Sequence, residues 1–250
     1  MIEVSDIKNA IKLESQSTYE NYKLEKDGIV YGIKKYLKED TKEVFKNKAF
    51  SEIYFLKKVG DKYNFPKFVK FLSDNSHIYI ITEWCDSIIL SDYMANIADP
   101  NVLINIFSQI FLILSYSTNV LKIVHGDTLL HNILLKKVEK KGSIMYTHMG
   151  KKYYFTNYGY IPVLWDFGLS RTLGKNRKAY FRIQEIINQE VISEKNLDFF
   201  KVVNNVKYTK NNWFYNYVRS MYLEYIESGI EDTLKNFTEM KNDVSINIIL

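Results

Sequence analysis

The chain has 250 residues, 46% of them hydrophobic, with Lys+Arg 34 against Asp+Glu 29 and a net charge of +5. That length allows one domain or two small lobes, and so much apolar material excludes wholesale disorder. The basic surplus is mild and contains no run of five basic residues, so a polyanionic small ligand or an acidic protein surface is expected and nucleic acid is not.

Cys85 is the only cysteine, which excludes an internal disulfide and suits a reducing compartment. The first residues carry no apolar core of signal-peptide length. The longest uninterrupted apolar run, residues 110–114, is too short to cross a bilayer. A cytoplasmic protein with no membrane partner is the expectation.

Residues 4–13 fit a short strand and a helical turn equally. Residues 19–24 alternate weakly, and Lys26-Asp27-Gly28 is a hairpin signal because Asp-Gly tolerates positive φ. Residues 29–37 read as the returning strand, with Lys34 inside it. Val44, Ala49, Ile53 and Leu56 recur near helical spacing and predict a helix over residues 43–59, which carries Glu52. Residues 68–72 and 78–82 read as two further strands joined by the polar turn Ser73-Asp74-Asn75-Ser76. A short helix begins at residues 91–94 with Ser91 as its cap. A long apolar-rich helix over residues 101–121 leads to His125.

From there the chain reads Ile-Val-His-Gly-Asp-Thr-Leu-Leu-His-Asn-Ile-Leu-Leu, and later Val-Leu-Trp-Asp-Phe-Gly-Leu-Ser. Asp127 and Asp166 each lie beside an apolar run that reads as a strand, and Asn132 follows the first by five residues. Two carboxylates and an amide oxygen are the parts needed to hold a metal-bound triphosphate over a nucleophile. Between them, residues 136–160 are rich in Lys and Tyr and predict a long β-hairpin about Gly150. It serves either to dock a substrate protein or as decoration of the lobe. Residues 171–182 form a basic strip (Arg171, Lys175, Arg177, Lys178, Arg182) that suits acidic substrates or a solvated loop. Residues 213–226 predict a helix buried through Phe214, Tyr217, Val218, Met221 and Tyr225, and residues 230–237 a last one. The remainder, to residue 250, has no clear pattern.

The stretch over residues 123–170 resembles the catalytic and metal-binding loops of the protein-kinase superfamily, written His125-Gly126-Asp127, Asn132 and Asp166-Phe167-Gly168. Tyr31-Gly32-Ile33-Lys34, Glu52 and the run from His77 to Asp86 fall in the same order as in that family. The resemblance implies an α+β, bilobal fold, with a strand-rich lobe over residues 1–84 and a shortened helical lobe over residues 85–250. It implies an ATP-dependent phosphotransferase using Mg2+ or Mn2+. Lys34 would hold the α/β-phosphates with Glu52 as its ion-pair partner. Thr82 would be the gatekeeper, with backbone groups of Glu83 and Cys85 facing adenine. Asp127 would be the catalytic base or hydroxyl-orienting residue, while Asn132 and Asp166 would bind the metal. Asp198 would brace the catalytic loop. His131 would either touch the γ-phosphate or face solvent.

The pattern departs from the family in places. Ser15-Gln16-Ser17-Thr18 stands where a glycine-rich phosphate loop is usual, leaving Ser15 and Ser17 as phosphate donors. Gly126 replaces a common Arg, Leu129 a common Lys, and no Ala-Pro-Glu closes the activation segment. The implied acceptor is a Ser/Thr hydroxyl on a protein substrate. The alternatives are a pseudokinase that binds a partner and a small-molecule kinase. The Tyr-rich insert and the Asn-, Lys- and Ile-rich composition are similar to kinase-like proteins of large DNA viruses, which would place the protein in host cytoplasm or a virion.

Overall fold

The computed structural model describes residues 2–13, 19–38, 43–96, 99–174, 197–207 and 212–250. Ser15, Ser17 and the basic residues 175, 177, 178 and 182 lie outside them. The chain forms two compact units, Met1–Asp86 with Asp166–Leu169, and Ser87–Trp165 with Ser170–Leu250.

In the first unit, α1 (Val4–Ile7) and β1 (Ile11–Leu13) share the stretch where the sequence pattern was undecided. Strands β2 (Glu20–Lys26), β3 (Ile29–Leu37), β4 (Phe68–Ser73) and β5 (His77–Glu83) complete an antiparallel sheet in the order β1-β2-β3-β5-β4. Asp27 and Gly28 turn β2 into β3 with φ of 55° and 74°, the left-handed pair that matches strand twist. Side chains alternate across a strand, so β3 serves two faces. Ile33 joins Leu24, Tyr79 and Ile81 under Ile2 and Ile7. Lys34 and Tyr36 point to the other face and meet α2 (Glu43–Val59). That helix buries Ala49, Glu52, Ile53, Leu56 and Val59, a stripe at helical spacing. Asp74 closes the β4–β5 turn by accepting from the backbone N–H groups of Ser76 and His77, both at 2.8 Å.

The second unit is built on α4 (Pro100–Asn119), which follows β6 (Ser87–Ile89) and α3 (Leu90–Asn96). Asp99 caps α4 by accepting from Asn101 N–H at 2.9 Å, with Pro100 in the first turn, where its missing N–H costs nothing. Ser91 is not a cap: it lies inside α3, its hydroxyl 3.4 Å from Asp92 Oδ1. By length and composition α4 suffices to cross a membrane, a property hidden from the uninterrupted-run criterion by its interspersed polar residues. Nearly all of its residues from Val102 to Thr118 are buried, so it is a core helix. Phe107 and Phe111 meet Phe214 and Phe199 edge-on, at 4.8 and 5.2 Å between centroids.

Three small sheets surround α4. β7 (Ile123–Val124) pairs with β12 (Arg171–Thr172), and β8 (Ile133–Lys137) lies between β6 and β11 (Tyr160–Leu164). The predicted hairpin is β9 (Ser143–His148) and β10 (Lys151–Thr156), turning through Met149 and Gly150. It is no loose decoration: Ile144, Tyr146, Tyr153, Tyr154 and Phe155 are buried, and Tyr146 donates to Gln109 of α4 at 3.0 Å. The unpatterned stretch after residue 237 supplies β13 (Val244–Ile249), which pairs in parallel with β9. A glycine is required at 142, where φ is 58° and a Cβ would lie 2.1 Å from the Asp243 carbonyl oxygen. The last helices are α5 (Leu197–Lys207) and α6 (Asn212–Thr233), the latter kinked at Gly229 near the expected start of a separate helix; a 3-10 turn, Lys235–Phe237, follows.

Candidate active site

Each unit carries one set of polar groups. In the first, the pleat of β3 and the helical stripe of α2 bring Lys34 Nζ to 2.7 Å from Glu52 Oε1. Both side chains are almost wholly buried, at 3% and 2% exposure. A buried cation needs this kind of pairing, because desolvation alone would neutralise it. Lys34 also lies 3.2 Å from Asp166 Oδ1. Burial by itself would lower the Lys34 pKa; Glu52 and then Asp166 outweigh it, and the net shift is upward, so the side chain stays an ammonium. Tyr36 holds the second Glu52 oxygen, donating to Oε2 at 2.5 Å.

Asp166 adopts φ of 67°, a left-handed conformation that Asp tolerates better than most residues. Gly168 N–H reaches back to Asp166 Oδ1 at 3.4 Å, while the buried Phe167 ring packs 6.0 Å from Phe65. Tyr19, immediately before β2, completes the set. Its hydroxyl donates to Asp166 Oδ2 at 2.7 Å, and Lys34 Nζ lies 4.6 Å from its ring centroid. Burial, with Asp166 adding to it and Lys34 opposing, raises the Tyr19 pKa well above the usual phenol value, so the hydroxyl remains a donor.

At the end of the same sheet, Thr82 is buried opposite Gly32, and its Oγ1 has no hydrogen-bond partner among the described residues. Glu83 N–H donates to Lys67 O at 2.9 Å, and its carboxylate pairs with Lys67 at 2.6 Å. Cys85 is half-buried just past the strand.

In the second unit the loop after β7 is suspended from α5. Asp198, 1% exposed, accepts from His125 N–H at 2.6 Å and Gly126 N–H at 2.8 Å, and its carbonyl accepts from Thr128 Oγ1 at 2.7 Å. His125 links this loop to the end of β11: Nε2 bonds Trp165 O at 2.9 Å, and Nδ1 accepts from Asp127 N–H at 3.3 Å. Those two contacts fix the tautomer with the proton on Nε2. Gly126 has φ of 80°, where an arginine would be strained. Asn132 spends its amide hydrogens on Asp127, donating to the carbonyl and to Oδ2, each at 3.0 Å. Its Oδ1 is thereby turned away from Asp127 as an acceptor. Lys201, one turn after Asp198 on α5, donates to Gly126 O and lies 3.9 Å from Asp127 Oδ1.

Asp166 in the first unit offers carboxylate oxygens and Asn132 in the second an amide oxygen, each a hard donor of the type that divalent Mg2+ or Mn2+ takes.

The model of the protein kinase domain matches residues 15–200. The chain belongs to the protein kinase family. No curated protein matches it.

Set beside that family, the first unit brings together Lys34, Glu52 and Asp166, and the second brings together Asp127 and Asn132, with Asp198 as the brace the sequence assigned to it. His131 is exposed. Sequence reasoning missed Tyr19, Tyr36 and Lys201. Two of these had a readable signal: Tyr36 is two residues from Lys34 on one strand face, and Lys201 is three from Asp198 on one helix face. Tyr19 had none, because its partners Lys34 and Asp166 lie far from it in sequence.

Proposed function

We propose that this kinase transfers the γ-phosphoryl group of Mg-ATP to a Ser/Thr hydroxyl of a protein substrate. The observation that carries the reading is Lys34 held as a cation between Glu52 at 2.7 Å and Asp166 at 3.2 Å. An ammonium kept charged and aimed by a buried carboxylate is a preorganised partner for a phosphate tail. Asp166 and the Asn132 amide oxygen are the groups that would hold the metal. When bound, Mg-ATP supplies the transferable phosphoryl group and a divalent charge that offsets the phosphates. Asp127 accepts the hydroxyl proton at a carboxylate whose other oxygen is fixed by Asn132. Asp198 keeps that loop rigid by accepting from two of its N–H groups.

One observation favours a second reading, a pseudokinase that binds a partner. The Tyr19 hydroxyl donates to Asp166 Oδ2, so with Lys34 beside Oδ1 both oxygens of that carboxylate are engaged. Labelled Mg-ATP separates the two. Wild type, Asp127→Asn and Asp166→Asn are compared for autophosphorylation and for transfer to casein or myelin basic protein. Label in wild type that falls at least 100-fold in both variants, with folding kept, supports the kinase reading. No label in wild type, or equal label in all three, overturns it. ATP consumed with no labelled protein would move the acceptor to a small molecule.

A further inference from the structure

Among the described residues of the second unit, Lys201 is a charged group beside Asp127 to which the kinase reading gives no role. We infer that Lys201 positions the acceptor hydroxyl over Asp127, taking the place left by Gly126 and Leu129, neither of which carries charge. The inference rests on the phosphotransfer reading above.

Three observations carry it. First, the ammonium is fixed. It donates to Gly126 O, on a backbone that Asp198 already holds through two N–H groups. Second, it is accessible, at 23% exposure beside 24% for Asp127, so a ligand atom can reach both. Third, the gap between Nζ and Asp127 Oδ1 is 3.9 Å, too long for a direct hydrogen bond. A distance of that size is one that a single bridging oxygen can span. An oxygen about 2.7 Å from a carboxylate and about 2.8 Å from an ammonium would subtend an angle of roughly 90° across that gap, within the range of a hydroxyl that donates to one group and accepts from the other. Asn132 occupies Oδ2, leaving Oδ1 as the face of Asp127 turned to that position.

The step balances. The acceptor O–H bond breaks and its proton passes to Asp127 Oδ1. The acceptor oxygen forms a bond to the γ-phosphorus, and the bond from that phosphorus to the ADP oxygen breaks, ADP leaving with the electron pair. Lys201 keeps its protons throughout. It orients the acceptor lone pair and offsets charge that grows beside it, which makes it a positioning residue.

The test uses the full chain and measures kcat and KM for casein and for ATP in wild type, Lys201→Met and Lys201→Arg. Thermal shift with Mg-ATP reports folding and nucleotide binding. Lys201→Met is expected to lose about 100-fold in kcat/KM for casein, with the KM for ATP and the thermal shift within twofold of wild type. Lys201→Arg is expected to recover at least a tenth of wild-type kcat. An active wild type with Lys201→Met within threefold of it overturns the inference and leaves the kinase reading standing. A loss matched by a weaker ATP response, or not recovered at all by Arg, means a merely structural lysine and also overturns it. An inactive wild type overturns the kinase reading, and this inference with it.

Discussion

Replacing Lys34 with methionine tests the first unit as a folding element and not only as a site. The substitution leaves Glu52, 2% exposed, facing no cation, with Asp166 close to the same vacancy. Removing one partner of a buried ion pair costs roughly 3–5 kcal/mol, because the other charge stays desolvated. Replacing both partners of the buried pair with apolar groups of similar size is close to neutral, and Asp166, 18% exposed, keeps its Tyr19 donor. Tyr36 has to be included, since its hydroxyl would otherwise lose its Glu52 acceptor at about 1–3 kcal/mol. The expected order of stability is therefore wild type, close to Lys34→Met/Glu52→Leu/Tyr36→Phe, and both well above Lys34→Met. Urea titration followed by tryptophan fluorescence in a Trp165→Phe/Trp213→Phe background, which leaves Trp84 of this unit as the reporter, reads the order. The pH response adds a sign. Burial pushes the Glu52 carboxyl up, and Lys34 pulls it back. Without Lys34 the folded state of the single variant binds the proton more readily than the unfolded chain. Its deficit should then shrink as pH falls from 7 toward 5. A single variant as stable as wild type, or a triple variant no better than the single, refutes the argument. Loss of activity in Lys34→Met would then be purely catalytic.

Two further outcomes are expected. Tyr19→Phe removes a hydrogen bond to a charged oxygen of Asp166, a contact of about 1.5–3 kcal/mol, so Mg-ATP should bind about 10- to 150-fold tighter in a calorimetric titration; unchanged or weaker binding would show that Tyr19 does not compete there. Burial lowers the His148 pKa, with Glu231 opposing, and His148 Nδ1 has no partner among the described residues. The unfolded chain takes up that proton near pH 6.5 while the folded one resists, so stability falls as pH drops below about 6.5, by up to about 1.4 kcal/mol per pH unit. His148→Gln should flatten the change in urea midpoint between pH 7.5 and 5.5, and equal slopes in both proteins would contradict this.

Much of the first unit was legible because its signals are local. Asp27-Gly28 fixes a hairpin by its backbone preference, and the stripe through Ala49, Ile53 and Leu56 fixes a helix and the face that bears Glu52. The spacing of Asp127 and Asn132 was also sufficient, since both lie on one short loop. What stayed hidden depends on distant partners. Parallel pairing of β13 with β9 leaves no mark on either segment, because each could serve many edges. Lys201 reads as an ordinary helix lysine until the loop that it holds is in place. Tyr19 follows a stretch that has serines where glycines would announce a phosphate loop, so nothing beside that tyrosine marks it.

The β9–β13 pairing has a consequence for the order in which the protein is made. Ser143 bonds Asp243 across a separation of 100 residues. At a synthesis rate of roughly 5–20 residues per second, β9 emerges about 5–20 s ahead of the strand that covers it. During that interval one edge of a hydrophobic, Tyr-rich hairpin is open to pairing with a neighbouring nascent chain. Factors that hold emerging chains, or slower crowding of ribosomes on the message, would then govern the yield of folded protein more than its equilibrium stability does.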